Sequence, residues 1–239
     1  MSAAQAPLIP ELEDALRQIS GERQVETAQR VVDFFLAGAA RFNDLHVCLF
    51  DRILSRLLEH AESAALTEVA RRLAPIANAP PDLMRRLAGE DAMAVAGPVL
   101  TRSRCLCDED LIAVARGKSQ AHMLAISGRS PLSECVSDAL VVWGDRDVVR
   151  NLAMNHQARF SPAGIATLAQ RAARDRVLAE KIAQRDDLPA DLVASVMLEV
   201  SVGQVSTCIA EVAAELDGLM PRAAGKTAGR HKGASRAAT

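Results

Sequence analysis

Apolar positions recur along this chain with the spacing of short amphipathic helices, and the helices themselves recur. Leu83, Leu111, Val136, Ile165 and Leu192 each open an apolar face just after a helix-start signal, at intervals of 28, 25, 29 and 27 residues. A second series, Leu73, Leu100, Ile126, Met154 and Ile182, runs 10 or 11 residues ahead of the first and steps by 27, 26, 28 and 28. Gly89, Gly117 and Gly144 close one helix of successive units, where glycine accepts the left-handed backbone of a C-cap. Self-similarity at a period of roughly 20 to 50 residues marks a stack of repeated units. The expected fold is all-α: a right-handed α-solenoid of short helical hairpins with a period of about 27 residues, closed at its N-terminus by a helical cap.

The order of elements follows. Residues 1–9 read as disordered, and Pro10 opens a short helix to Ile19. An amphipathic helix runs from Glu22 to about Ala40, and Asn43 or Asp44 caps the next, which carries Leu45, Leu49, Ile53, Leu57 and Leu58. Phe34, Phe35, Phe42 and Phe50 all fall here, so residues 1–62 form the cap, with a bulkier core than the repeats. The solenoid occupies 63–200. Its helices are expected over 64–74 (stopped by Pro75), from Pro80-Pro81 onward, then over 91–101, 108–116, 119–127, 133–143, 145–154, from Ser161-Pro162, and over 172–183 and 189–199. Pro98 predicts a kink or a late start, and Asp108 a cap. A capping helix over 201–220 and a disordered basic tail over 221–239 complete the chain.

Composition agrees with an all-helical soluble chain. Hydrophobic residues make up 49% and charged residues 24%, while aromatics are only 3%, with no Tyr and one Trp, which argues against base stacking. The net charge of −2 is uneven. Residues 221–239 hold five basic residues and no acid, leaving 23 basic against 30 acidic residues, or −7, in the body. An acidic body does not suit a nucleic-acid-binding solenoid. Five cysteines, an odd number, indicate free thiols in a reducing compartment. The opening Met-Ser-Ala-Ala-Gln-Ala-Pro has no basic start or apolar run, and no stretch is long enough to span a bilayer, so the expected location is cytoplasmic, without membrane association.

Several stretches carry a resemblance: Arg102-Ser103, Leu106 to Leu111, Ser119 to Ile126, Leu132-Ser133, Asp138-Ala139-Leu140, Gly144-Asp145, Val148-Val149 and Asn155. Together they resemble the alphaproteobacterial family called domain of unknown function 2336, whose members are HEAT-like helical-repeat proteins. The resemblance covers most of Glu22 to Leu198. It implies a HEAT-like fold in a bacterial cytoplasm and brings no activity and no catalytic residues.

Candidate chemistry is sparse. Cys105-x-Cys107, with Cys135 and His122, lacks the spacing of a zinc site, and structural thiols are the preferred reading; no metal and no cofactor are expected. His122 and Arg150 are polar exceptions at positions that hold Val69, Ala96 and Leu178 in other units, which places them at a groove edge. Arg150 needs an acidic partner, Asp147 or an acid of the next unit, unless with Asn151 it faces a ligand. Trp143 closes a helix as packing or as a binding anchor. No phosphate loop, zinc-protease helix or nucleophile elbow is present. The functional expectation is a non-enzymatic scaffold that binds a protein or peptide along its concave face through His122, Trp143, Arg150 and Asn151. The alternative is a nucleic-acid-binding solenoid aided by the basic tail. A homodimer through the Phe-rich helices is a further expectation.

Overall fold

Helices of about ten residues are unstable alone in water, so each needs its ends satisfied and one face buried. The computed structural model, which describes residues 21–188 together with Val193, Ala194 and Leu198, meets both needs between neighbouring helices. The chain divides into units Met1–Val200 and Ser201–Thr239, and every described residue belongs to the first. The expected helices over 10–19, 189–199 and 202–220, the tail and Cys208 lie outside the described residues.

Eleven α-helices are described: α1 (Gly21–Gly38), α2 (Asp44–Leu57), α3 (Ser63–Leu73), α4 (Pro81–Ala88), α5 (Met93–Arg102), α6 (Asp108–Gly117), α7 (Gln120–Ser127), α8 (Glu134–Trp143), α9 (Arg146–Met154), α10 (Pro162–Ala172) and α11 (Arg176–Ala183). A 3₁₀ turn (Ala39–Arg41) follows α1. The described residues contain no strand, only an isolated bridge between Leu132 and Ala158. Helices two apart in sequence pack together: α1 on α3, then α3, α5, α7, α9 and α11 in succession. On the other side α2 packs on α4, and α6, α8 and α10 follow one another. Pairs such as α4 with α5, α8 with α9 and α10 with α11 join the two rows as hairpins.

Side-chain caps begin five of the helices. Asn43, Ser133, Asp145, Ser161 and Asp175 accept the N–H groups of His46, Val136, Val148, Gly164 and Leu178. Helix α4 borrows its cap, because it is entered through Pro80 and Pro81. Buried Asp51 of α2 accepts the N–H of Asp82 at 2.8 Å and of Leu83 at 2.9 Å. Burial pushes the Asp51 carboxyl up, with those two donors opposing it. Asp138 of α8 likewise reaches the N–H and hydroxyl of Ser161 ahead of α10. Gly164 makes room for it, since a Cβ there would lie 1.8 Å from Asp138 Oδ1.

Arginines close the helix ends. Arg86 donates to the carbonyls of Ser55 and Leu58 at the end of α2. Arg129 serves Leu100 and Ser103 after α5, and Arg171 serves Val141 of α8. Arg185 is the fullest case. Its side chain is wholly buried, pairs with Asp187, and donates to the carbonyls of Asn155 at 2.8 Å and Ala158 at 2.9 Å. Its guanidinium carbon lies 5.1 Å from the centre of the Phe160 ring. A cation at a helix C-terminus meets both unpaired carbonyls and the negative end of the dipole.

The core is aliphatic, led by Leu54, Leu73, Leu83, Leu87, Leu100, Ile126 and Leu140, all essentially fully buried. At the N-terminal end Phe35 is buried and meets Phe50 edge-on, with ring centres 5.0 Å apart.

Four expectations are corrected. No described glycine has a positive φ, so Gly89 and Gly144 are not left-handed caps. Gly144 instead allows close packing, because a Cβ would lie 2.5 Å from the Leu140 carbonyl oxygen and 2.6 Å from Val148 Cγ1. Cys107, not Asp108, is the N-cap of α6, and Asp108, Glu109 and Asp110 occupy its first turn. Helix α11 starts at Arg176 rather than at Ala172, which belongs to α10. Met154 is 57% exposed, because Leu152 and Ala153 take the inward positions of α9. Pro98 is carried inside α5, which starts late, at Met93.

Candidate binding surface

The four residues singled out by the repeat pattern are not brought together on one open face. His122 is 1% exposed, not at a groove edge. Its Nε2 lies 2.9 Å from the carbonyl of Glu90, and its Nδ1 lies 2.8 Å from the hydroxyl of Ser119. A carbonyl only accepts, so Nε2 carries the proton and Nδ1 accepts from the serine. The imidazole is therefore a strut between α7 and the turn before α5. The position holds a polar residue because that turn leaves a carbonyl facing inward.

Arg150 spans α9 and α11. Its Nε and Nη2 donate to the two oxygens of Asp175, each at 2.9 Å, while Asp147 stands farther off at 3.9 Å. The partner is thus the acid of the next hairpin. Burial pushes the Asp175 carboxyl up, but the fork from Arg150, the N–H of Leu178 and the charge of Arg146 outweigh it and hold the group below its ordinary range. Asn151 turns the other way and donates to the Ser127 hydroxyl at 2.8 Å. Asn155 continues that link to the carbonyls of Ser127 and Arg129.

Trp143 is the outward member of the set, 36% exposed beside Val142 at 59%. The Arg116 guanidinium carbon sits 5.2 Å from its ring centre. Gln120 ties the same corner together, donating to the Trp143 carbonyl and accepting the N–H of Asp145.

The described cysteines, Cys48, Cys105, Cys107 and Cys135, are free. Cys105 donates to the carbonyls of Ala77 and Ala79, and burial pushes its thiol up. At Cys107 the backbone of Asp110 draws the thiol down, but the carboxylates of Glu109 and Asp110 outweigh it and leave it raised. Both environments disfavour a thiolate. Among the described residues no three His, Cys, Asp or Glu side chains are grouped to hold a metal ion, and no helix is long and apolar enough to cross a membrane.

Repeat reasoning missed a cleft of about 540 Å³ between α9 and the α10–α11 turn. Arg146, Arg171 and Arg174 line it together with the buried aliphatic side chains of Val149 and Leu178. The sequence carried a partial signal: two of these arginines, Arg171 and Arg174, stand three residues apart in an otherwise acidic body. A larger, more mixed cleft lies between α1 and α3, about 850 Å³ with Gln24, His60 and Glu68, and a smaller one beside α10, about 430 Å³ with His156 and Glu134.

Neither a curated protein nor a solved structure matches the chain. A family model, described as an uncharacterised protein conserved in bacteria, matches residues 95–238; it starts later than the resemblance read from Glu22 and extends through the basic C-terminal stretch. That match spans more than half of the 239 residues, and the chain belongs to this bacterial family, DUF2336.

Proposed function

We propose that the chain is a non-enzymatic scaffold of the bacterial cytoplasm, a right-handed α-solenoid of HEAT-like hairpins that binds a protein or peptide along its concave face. The observation that carries this reading is the pairing of helices two apart in two rows. The hairpins starting at Pro81, Asp108, Glu134 and Pro162 succeed one another by 27, 26 and 28 residues, which supports a period near 27. Stacked hairpins present long surfaces built from equivalent positions, and such surfaces suit extended partners. Buried His122 and the partly buried Arg150 and Asn151 join neighbours in this reading, and the surface role passes to Trp143 and to the arginine-lined cleft.

Affinity capture at native expression levels, followed by crosslinking, tests the reading. One specific protein crosslinked to residues of a single helix row is the expected result, and absence of any specific protein counts against it. Phe34 at 66% and Leu45 at 81% exposure favour a homodimer through the Phe-rich end as a second use of the surface. Light scattering on Phe34→Ser tests that contact: a dimer that becomes monomeric supports it, and a monomeric wild type removes it.

A further inference from the structure

We infer that Ser119 is an activated nucleophile that takes an acyl group from a neutral ester or thioester, with His122 as its base. The inference goes beyond the scaffold reading and stands on the geometry of one helix start. Ser119 holds the N-cap of α7, yet its side chain caps nothing. Asn43, Ser133, Asp145, Ser161 and Asp175 hold the same place on other helices, and each accepts a backbone N–H. Exposed Ser119 instead donates its hydroxyl to His122 Nδ1, 2.8 Å away. That nitrogen is bare because Nε2–H is held on the Glu90 carbonyl at 2.9 Å, and the ring is buried. A hydroxyl on a base whose tautomer is fixed by a third group is the arrangement that activates serine nucleophiles.

The same helix start has donors for the charge that develops. The N–H groups of Gln120 and Ala121, the first two of α7, meet no acceptor among the described residues. Gln120 is pinned by the Trp143 carbonyl and the Asp145 N–H, which fixes the backbone beside the serine. In the step, Ser119 Oγ bonds to the acyl carbon while His122 Nδ1 takes the hydroxyl proton. The two N–H groups serve the oxyanion of the tetrahedral intermediate. Its collapse breaks the bond to the leaving alkoxide or thiolate, which departs with the proton from Nδ1. Acyl-Ser119 and a neutral imidazole remain, and the proposal stops there, without turnover. Charge selects the donor. The Asp91 carboxylate acts on the imidazole, and Lys118 is already engaged by Asp91 at 2.7 Å, so an anionic acyl phosphate meets like charge.

The test incubates the full-length protein with p-nitrophenyl acetate and maps the acetyl groups by mass spectrometry, with acetyl phosphate as the anionic comparison. Ser130, exposed and without a side-chain hydrogen bond among the described residues, is the internal reference. Acetylation of Ser119 should be at least tenfold faster than that of Ser130. It should fall to the Ser130 rate in His122→Gln, and also in wild type unfolded by guanidinium, where the sequence is intact and the geometry is gone. Folded wild type acetylated no faster at Ser119 than at Ser130 overturns the assignment. So does a His122→Gln variant that keeps the wild-type circular dichroism melt and the wild-type Ser119 rate. If that variant does not fold, the guanidinium comparison decides, and a Ser119 rate unchanged by unfolding overturns the assignment. Equal transfer from acetyl phosphate overturns the donor class.

Discussion

Arg150 and Asp175 make part of this molecule's stability depend on pH, and the sign follows from the carboxyl. Asp175 lies below its ordinary 3.8 in the folded chain, so its contribution is present above that value and is lost as pH falls through the folded one. In Arg150→Ala burial acts with fewer opposing contacts, and the group moves up. The melting temperature of the variant should fall below wild type at neutral pH, and the gap should narrow as the pH falls below the ordinary carboxylate range. Thermal melts across that range check this, and a gap independent of pH would show that the pair does not titrate as described. Ser137 offers the opposite kind of test. Its hydroxyl is fully buried, and among the described residues it has no hydrogen-bond partner. Ser137→Ala should be neutral or stabilising by up to about 1 kcal/mol in urea titration. At this scale the sequence was readable where a charge demanded a partner: Arg150 needed an acid, and the next hairpin supplies one. Arg185 was not readable, because the carbonyls it serves, of Asn155 and Ala158, lie in the turn after α9, 30 and 27 residues earlier in the chain.

Helices in this chain are completed by their neighbours, and single substitutions should expose the dependence. Asp51→Ala removes the acceptor for two N–H groups of α4 and should cost about 1–3 kcal/mol, while Asp51→Asn, which keeps an acceptor, should cost less. Equal losses in the two variants, measured by chemical denaturation, would refute the capping role. Gly164→Ala drives a methyl group into Asp138 and should destabilise by about 1–2 kcal/mol. In Asp138→Ala the same glycine change should cost far less, so a double-mutant cycle reads the contact directly. Helix starts with their own caps, such as Ser133, Asp145 and Ser161, were legible as short local patterns. The start of α4 was legible only as a proline pair, since its acceptor comes from 31 residues upstream. The inward face of α9 was misread at Met154 because one apolar residue in a strict series can sit a position past the true register.

Across the molecule, one continuous core ties the first described helices to the last. Leu140 lies within it with no exposure. Leu140→Asp should cost on the order of 3 to 5 kcal/mol and remove helicity from several hairpins together, since a buried charge without a partner penalises every unit that packs on it. Wild-type helicity and melting temperature in that variant would show that the hairpins are independent. The all-helical architecture was visible from periodicity because helices of one kind bury one kind of stripe. The arginine-lined cleft showed in the sequence only as two nearby arginines, Arg171 and Arg174, because it is built from a turn, where no period runs.

The exchange of end groups between neighbours also has a mechanical consequence. A terminal hairpin pulled away takes with it a cap or a guanidinium that finishes the helix beneath, so each detachment weakens the next. Stretched between its ends in an optical trap, the chain should give way in a few large rips. A staircase of steps of roughly 90 Å, the length of some 27 extended residues, would instead mean that the hairpins hold on one by one.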